Sequence, residues 1–480
     1  MTPACQHAAG PHAGRSQPYP PAPQPLVRLD QTTEMTPFAL FTARRVRVPA
    51  LALTAFWLLA GAPAWAQKKP EALPANAPQG NPYLYGKQAQ EFGTPEQLMA
   101  AAGILSLGGF EFGTGDTASV DALLAGTDIL WIETAHFELG FALGEYKVAL
   151  KDKRKLVPEL ERLKAKLPTV DSGAKRLDRW LRALLFAQRL EELYTRVQRV
   201  LQVTDANFPP EDTVWNMEGE YWGRGPFLGQ VGKYEVLILP GEAPSEKFLR
   251  ESFGLVVKRT QRWNVLDRDS LILVVNDADE GLLKDAAMHC HVVYNMTINL
   301  LDGYRHYSFE LPFWLRAGLA HVLEREVWPE FNTFDISEGG EEIETYESDW
   351  LKEAREHVAA GEQSSLARLS SKENYSDLTF GDHLTSWSMM QYLVHVHPDA
   401  LAKILGRLAG LVNEQGYPDG SDMPEHQREA FREFLGMPYP LFDESWKTWL
   451  ATPHADLVNE WSDQGLLAPA PQMPTGKQKH

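Results

Sequence analysis

The sequence predicts an α+β fold, and three observations predict it. Two short apolar runs, 234–239 and 271–275, have the length and composition of strands. A helical pattern over 244–263 lies between them, which suggests a small sheet with helices against it. Long helical stretches stand on both sides, from about 94 to 204 and from 350 to 449.

The elements follow from the N-terminus. Residues 1–34 are rich in Pro, Ala and His, show no hydrophobic period, and read as an extension upstream of the true start. Met35 opens a better beginning. Arg44, Arg45 and Arg47 form a positive segment, 48–59 is apolar, and Ala64-Trp65-Ala66 is a small-x-small cleavage site. Residues 35–66 are therefore expected to be a signal peptide cleaved after Ala66, sending the chain to the periplasm or beyond. The apolar run is short for a bilayer span and no other segment reads as one, so no stable membrane insertion is expected.

Residues 67–92 are Pro-, Ala-, Gln- and Gly-rich and read as a flexible lead-in. A helical domain is expected over 93–205. Its clearest helix spans 174–203, where Leu177, Trp180, Leu181, Leu184, Leu193, Val197, Val200 and Leu201 share one face. An α+β region over 206–335, a helical region over 336–455 and a flexible tail over 456–480 complete the reading. Within it, Gly223 to Gly229 is a turn rather than a phosphate loop, since no Lys-Ser/Thr follows. The acidic run 338–347 reads as solvated surface.

Composition bounds the function. The chain has 480 residues, 44% hydrophobic, with 14 Trp, 15 Tyr and 21 Phe, ample for a buried core. The first 66 residues hold five Arg and two acidic residues, so their removal moves the net charge from −18 to −21. Such an acidic exported chain is a poor match for nucleic acid or anionic lipid. Of the two cysteines, Cys5 precedes the cleavage site and Cys290 is left alone, so the mature chain holds no internal disulfide.

Two segments carry the candidate chemistry: Met288-His-Cys-His-Val-Val-Tyr-Asn295 and Leu311-Pro-Phe-Trp-Leu-Arg-Ala-Gly-Leu-Ala-His-Val-Leu-Glu324. Other candidates fall away. Glu133-x-x-His136 is half of a di-iron pattern with no second copy. Asp382-His383 has no G-x-S-x-G nucleophile elbow anywhere in the chain to serve. His395 and His397 lie at a helix end, where histidine complements the dipole.

The pattern Pro312-x-Trp314-Leu315-x-x-Gly318-Leu319-Ala320 resembles the second metal-binding helix of the peptidase MA-like (gluzincin, aminopeptidase-like) zinc peptidases, including their exported bacterial branches. Ser386-Trp387 to Leu393 resembles the helix behind that site. Ala430-Phe431, Leu435-Gly436 and Phe442-Asp443-x-x-Trp446 resemble its closing helix pair. The resemblance covers roughly 230–450 and implies a zincin-like sheet with two core helices. In that family two histidines at i and i+4 bind zinc, the glutamate after the first is the general base, and a glutamate on the second helix is the third ligand.

This chain departs at those positions. In the preferred register, Ala287-Met288-His289-Cys290-His291 stands for His-Glu-x-x-His, with Ala287 and Met288 replacing ligand and base. The other register starts at His291 and keeps only its first histidine. Ala317 replaces the third ligand in both. The expectation is a catalytically inactive peptidase homologue without a cofactor, acting as a peptide- or protein-binding or structural module. The alternative is an active zinc hydrolase with a rearranged site. His321 and Glu324 lie at i+4 and i+7 from Ala317 and, with His289 or His291, offer ligand types that zinc accepts.

Overall fold

A five-stranded mixed sheet organises the chain, and only two of its strands are where the sequence places strands. The computed structural model describes residues 76–213, 219–278, 281–305, 307–334 and 349–453. The expected signal peptide, the acidic run 338–347 and the tail 456–480 lie outside the described residues. In chain order the strands are β1 (Leu130–Glu133), β2 (Phe137–Phe141), β3 (Tyr234–Leu239), β4 (Gln261–Val265) and β5 (Ser270–Asn276). Across the sheet the order is β1-β2-β3-β5-β4. The inner pairs β2/β3 and β3/β5 are parallel, and both outer strands are antiparallel to their neighbours.

The α+β class holds, with two local corrections. The stretch 93–205, expected to be helical, supplies β1 and β2 to the sheet. Leu130-Trp131-Ile132 and Phe137 to Phe141 are almost wholly buried and rich in aromatic and branched residues, which favours strand over helix. The helix expected over 244–263 stops at Phe253. Gly254 follows with φ 71°, a left-handed cap that suits glycine, and the chain then turns into β4.

The longer helices are α1 (Lys153–Lys166), α2 (Arg179–Leu201), α3 (Glu242–Phe253), α4 (Asp285–Gly303) and α5 (Phe313–Val327), then α6 (Trp350–Ala360), α7 (Phe380–Val396), α8 (Pro398–Ala409), α9 (Met423–Leu435) and α10 (Tyr439–Leu450). Strand alternation divides the apolar side chains between two faces. Val236, Ile238, Leu273 and Val275 join the large core that includes α2, α4, α5 and α7. Leu237, Leu239, Ile272 and Val274 join a smaller core with Phe248 and Leu249 of α3. Helix α4 runs through the middle. All of its residues are buried except His291, as expected of a helix with protein on every side.

Helix α5 crosses α7 closely at Gly318. A Cβ there would stand 2.8 Å from the backbone oxygen of Ser386. Glycine is needed for approach rather than for its dihedral freedom. Trp314, one turn earlier, is buried and its Nε1 donates to Gln427 Oε1 of α9 at 3.0 Å. Two residues of the Pro-x-Trp-Leu-x-x-Gly pattern thus have structural reasons to be present. Gly318→Ala is expected to lower stability by about 1–3 kcal/mol through overpacking, read as a shifted urea midpoint with unchanged slope.

A second constraint lies in the sheet itself. Glu138 on β2 and Glu235 on β3 are register partners, both buried, and share Arg268 at 2.9 and 3.0 Å. Gly113 N–H and Ser270 Oγ also donate to Glu235. Burial pushes the Glu138 carboxyl up to about 7, with Arg268 opposing the rise. A raised carboxyl favours the folded state while it stays protonated. Its contribution is therefore full below pH 4.5 and is lost as pH rises through 7. Over that window about 3 kcal/mol is at stake. Glu138→Gln should remove that part of the stability change between pH 4.5 and 7, measured by denaturant titration at each pH.

Candidate functional site

The four candidate ligands sit on two adjacent helices, α4 and α5, yet they face three different environments. His289 and His291 are two residues apart, so they leave α4 about 200° apart around its axis. His321 and Glu324 lie one turn apart on α5 and share a face.

His289 points toward α1 and α2. Its Nδ1 lies 2.6 Å from Lys155 Nζ and 3.5 Å from Glu159 Oε1, while its Nε2 is buried without a hydrogen-bond partner. Around it, Lys155 reaches Glu159 at 2.9 Å, and Arg189 Nη2 joins Glu159 at 2.6 Å to Asp285 at 2.7 Å. All five residues are buried. Two cations balance two carboxylates, so His289 has no charge to complete. Burial, with Lys155 and Arg189 adding repulsion, pulls its imidazolium down to about 3. Neutral His289 accepts from the Lys155 ammonium.

His291 points the other way, toward the outer strand β4. Its Nε2 stands 2.8 Å from Thr260 Oγ1 and 3.3 Å from Asn295 Nδ2. Asn295 in turn donates to the His291 carbonyl at 2.9 Å and accepts from Arg262 Nη1 at 2.9 Å. These contacts fasten the partly buried histidine beside β4.

His321 and Glu324 do come together, and His383 of α7 joins them. His321 Nδ1 is 2.6 Å from Glu324 Oε1, and its Nε2 is 2.9 Å from His383 Nδ1. Thr333 N–H donates to both Glu324 oxygens, at 3.2 and 3.0 Å. All three side chains are buried. Aromatic rings enclose them: Tyr294 and Trp350 each lie 4.9 Å from the His321 ring, Phe334 lies 5.0 Å from His383, and Tyr375 lies 5.5 Å from His383. Burial raises the Glu324 carboxyl well above its usual range. Burial first, and then His383 and Arg325, hold the His321 imidazolium well below its own. The contacts of Glu324 Oε1 with Nδ1 and of Nε2 with His383 Nδ1 join the three side chains in one line through His321.

This arrangement does not fit the zinc of the gluzincin pattern. Ala287, Met288 and Ala317 are buried and offer neither imidazole nor carboxylate. His291 Nε2 is engaged by Thr260, and His321 Nε2 by His383. Among the described residues no group of three His, Cys, Asp or Glu side chains could hold a metal ion. Nor is any described helix long and apolar enough to cross a membrane.

Sequence reasoning does not reach three partners, His383, Asp285 and Arg189. In the sequence His383 stands out only beside Asp382. Asp382 instead caps α7 through Thr379 and pairs with Lys372 and Ser364. Asp285 and Arg189 gave no signal beyond a charge on an apolar face. Of the lesser candidates, Glu133 pairs with Lys233, and His136 with Glu191 at 2.7 Å. Cys290 is buried between α4 and α5, its Sγ 3.6 Å from the Glu324 carbonyl.

Neither a family model nor any curated protein matches this chain.

Both networks should contribute to stability. Arg189→Ala leaves Glu159 and Asp285 buried without their shared cation and is expected to cost about 3–5 kcal/mol. Glu324→Ala strips partners from Thr333 N–H and His321 and should cost about 3 kcal/mol. Differential scanning calorimetry of both variants against the parent checks these values.

Proposed function

We propose that the chain is an exported, catalytically silent relative of the gluzincin-type peptidases that works as a peptide- or protein-binding module. One observation carries the reading. At the three positions where the resemblance calls for a ligand, a base and another ligand, the chain has the buried apolar residues Ala287, Met288 and Ala317. General-base hydrolysis at this position has no group to accept the proton from water. Meanwhile Trp314 and Gly318, which seat α5 against α9 and α7, are kept. A site that lost its donors while its supports persisted is consistent with selection on shape rather than on turnover.

The peptide-holding part of the reading rests on the one α4 residue that is not buried, His291, which lies beside the outer strand of the sheet. An extended peptide can add to such a strand through main-chain hydrogen bonds without chemistry.

The test is metal analysis and peptide hydrolysis on protein purified without added zinc. The expected result is no stoichiometric zinc and no chelator-sensitive cleavage of a casein digest. Stoichiometric zinc that disappears in His321→Ala, accompanied by chelator-sensitive cleavage, overturns the reading in favour of a rearranged hydrolase.

A further inference from the structure

The carboxyl ends of the parallel strands hold a buried cation with which no described carboxylate pairs. Strands β2, β3 and β5 run parallel, and the connections between them lie on opposite faces. Helices α1 and α2, between β2 and β3, belong to the larger core, and α3, between β3 and β5, to the smaller one. In open sheets a crevice forms at such a switch point, just outside the carboxyl ends of the strands. Arg182 of α2 reaches this end. It is 4% exposed, and its Nη1 donates to the Gly144 carbonyl, just beyond β2, at 2.5 Å. Its Nε is buried without a hydrogen-bond partner, and among the described residues it makes no ion pair. Phe141 and Tyr146 each place a ring centroid 5.5 Å from the guanidinium carbon. Burial lowers the Arg182 pKa in spite of the attraction of Asp285. A buried guanidinium is ordinarily paired, because its desolvation is costly.

The start of α4 adds a second, independent observation. Its N-cap residue, Lys284, makes no side-chain bond to the first turn. The N–H groups of Ala286 and Ala287, both buried residues, have no partner among the described residues. Buried N–H groups are nearly always paired, and those at the positive end of a long helix suit an anion. Tyr146 links the two features. Its ring lies beside Arg182, and its hydroxyl lies beside the Asp285 N–H and donates to Asp152.

The neighbourhood as a whole has no excess of positive charge: Lys155, Arg182 and Arg189 stand against Asp152, Glu159, Asp277 and Asp285. Each of those carboxylates has its own donor, however. Arg189 joins Glu159 to Asp285, Lys155 reaches Glu159, Tyr146 donates to Asp152, and the Gly241 N–H donates to Asp277 at 2.7 Å. Arg182 alone is left over. We infer that Arg182 and the first turn of α4 form a site for a small monocarboxylate, distinct from the degenerate zinc position. One carboxylate would complete the guanidinium's fork and accept from the helix donors. A doubly charged phosphate would meet the surrounding carboxylates with one charge too many. The burial of every group involved limits the ligand to a few atoms. The inference does not depend on the binding-module reading.

The experiment is differential scanning fluorimetry of the purified chain, with sodium acetate titrated against sodium chloride at equal ionic strength. Acetate should raise the Tm saturably, as a ligand of the folded state does. Acetamide, which has the shape without the charge, should not. Arg182→Gln should weaken the apparent affinity for acetate at least tenfold, and Tyr146→Phe severalfold. Arg176→Gln, at an exposed arginine already paired with Glu145, should leave it unchanged. A second measurement needs no variant. In the parent chain carrying nitrogen-labelled arginine, a slowly exchanging Nε–H resonance should shift with acetate and not with acetamide. A rise in Tm that survives in Arg182→Gln overturns the site. So does acetate that acts no differently from chloride in both measurements. Inorganic phosphate that stabilises the chain more than acetate, through the same arginine, overturns the carboxylate assignment.

Discussion

The direction of α4 is the constraint on which the site depends, and a buried ion cluster sets it. Asp285, in the first turn of α4, is tied by Arg189 of α2 to Glu159 of α1. Buried charges are costly when unpaired, so these three helices have few ways to move relative to one another without exposing a lone ion. The carboxylate also sits at the positive end of the α4 dipole, where it is favoured. With the start of α4 held, the rotation of every later residue on it is decided. His289 is turned into the ion cluster and His291 toward β4. Tyr294 is brought beside His321.

This explains why a histidine-rich sequence does not produce a histidine-rich site. Each imidazole has a local partner that uses its lone pair or its proton: Lys155 for His289, Thr260 for His291, and Glu324 with His383 for His321. In the dry interior such bonds are strengthened and hard to exchange. Drawing the rings together on one ion would break three networks at once. The alternation of ring directions follows from spacing alone. Neighbours at i and i+2 on a helix cannot face the same point, whereas i and i+4 can.

What could be read from the sequence followed from how one-sided each signal was. Strand β3 was legible to the residue, and β5 to within one at each end, because continuous buried aliphatic runs bounded by turns are distinctive. Helix α2 was legible because its apolar stripe is long. Strand β4, Gln-Arg-Trp-Asn-Val, was not, since an edge strand carries polar residues and follows a helix by only a short turn. Strands β1 and β2 were missed because they are short and lie in a stretch otherwise dominated by helices. In the candidate site, the pairing of His321 with Glu324 was readable from spacing. His383 was not, because it arrives from a helix more than fifty residues later and only tertiary packing brings it there.

The placement of Cys290 has a chemical consequence for a protein expected to live among oxidants. Its sulfur lies between α4 and α5 with carbonyl oxygens of Glu324 and Trp328 as neighbours, and burial pushes the thiol well above its usual range. Thiolate, the species that attacks disulfides, is therefore scarce, and no oxidant can reach the sulfur while the two helices stay packed. A lone thiol in an oxidising compartment is ordinarily a route to covalent dimers. Here the fold serves as the protecting group, and the thiol becomes reactive only when α4 and α5 part. Its rate of modification would then record how often the centre of this molecule opens.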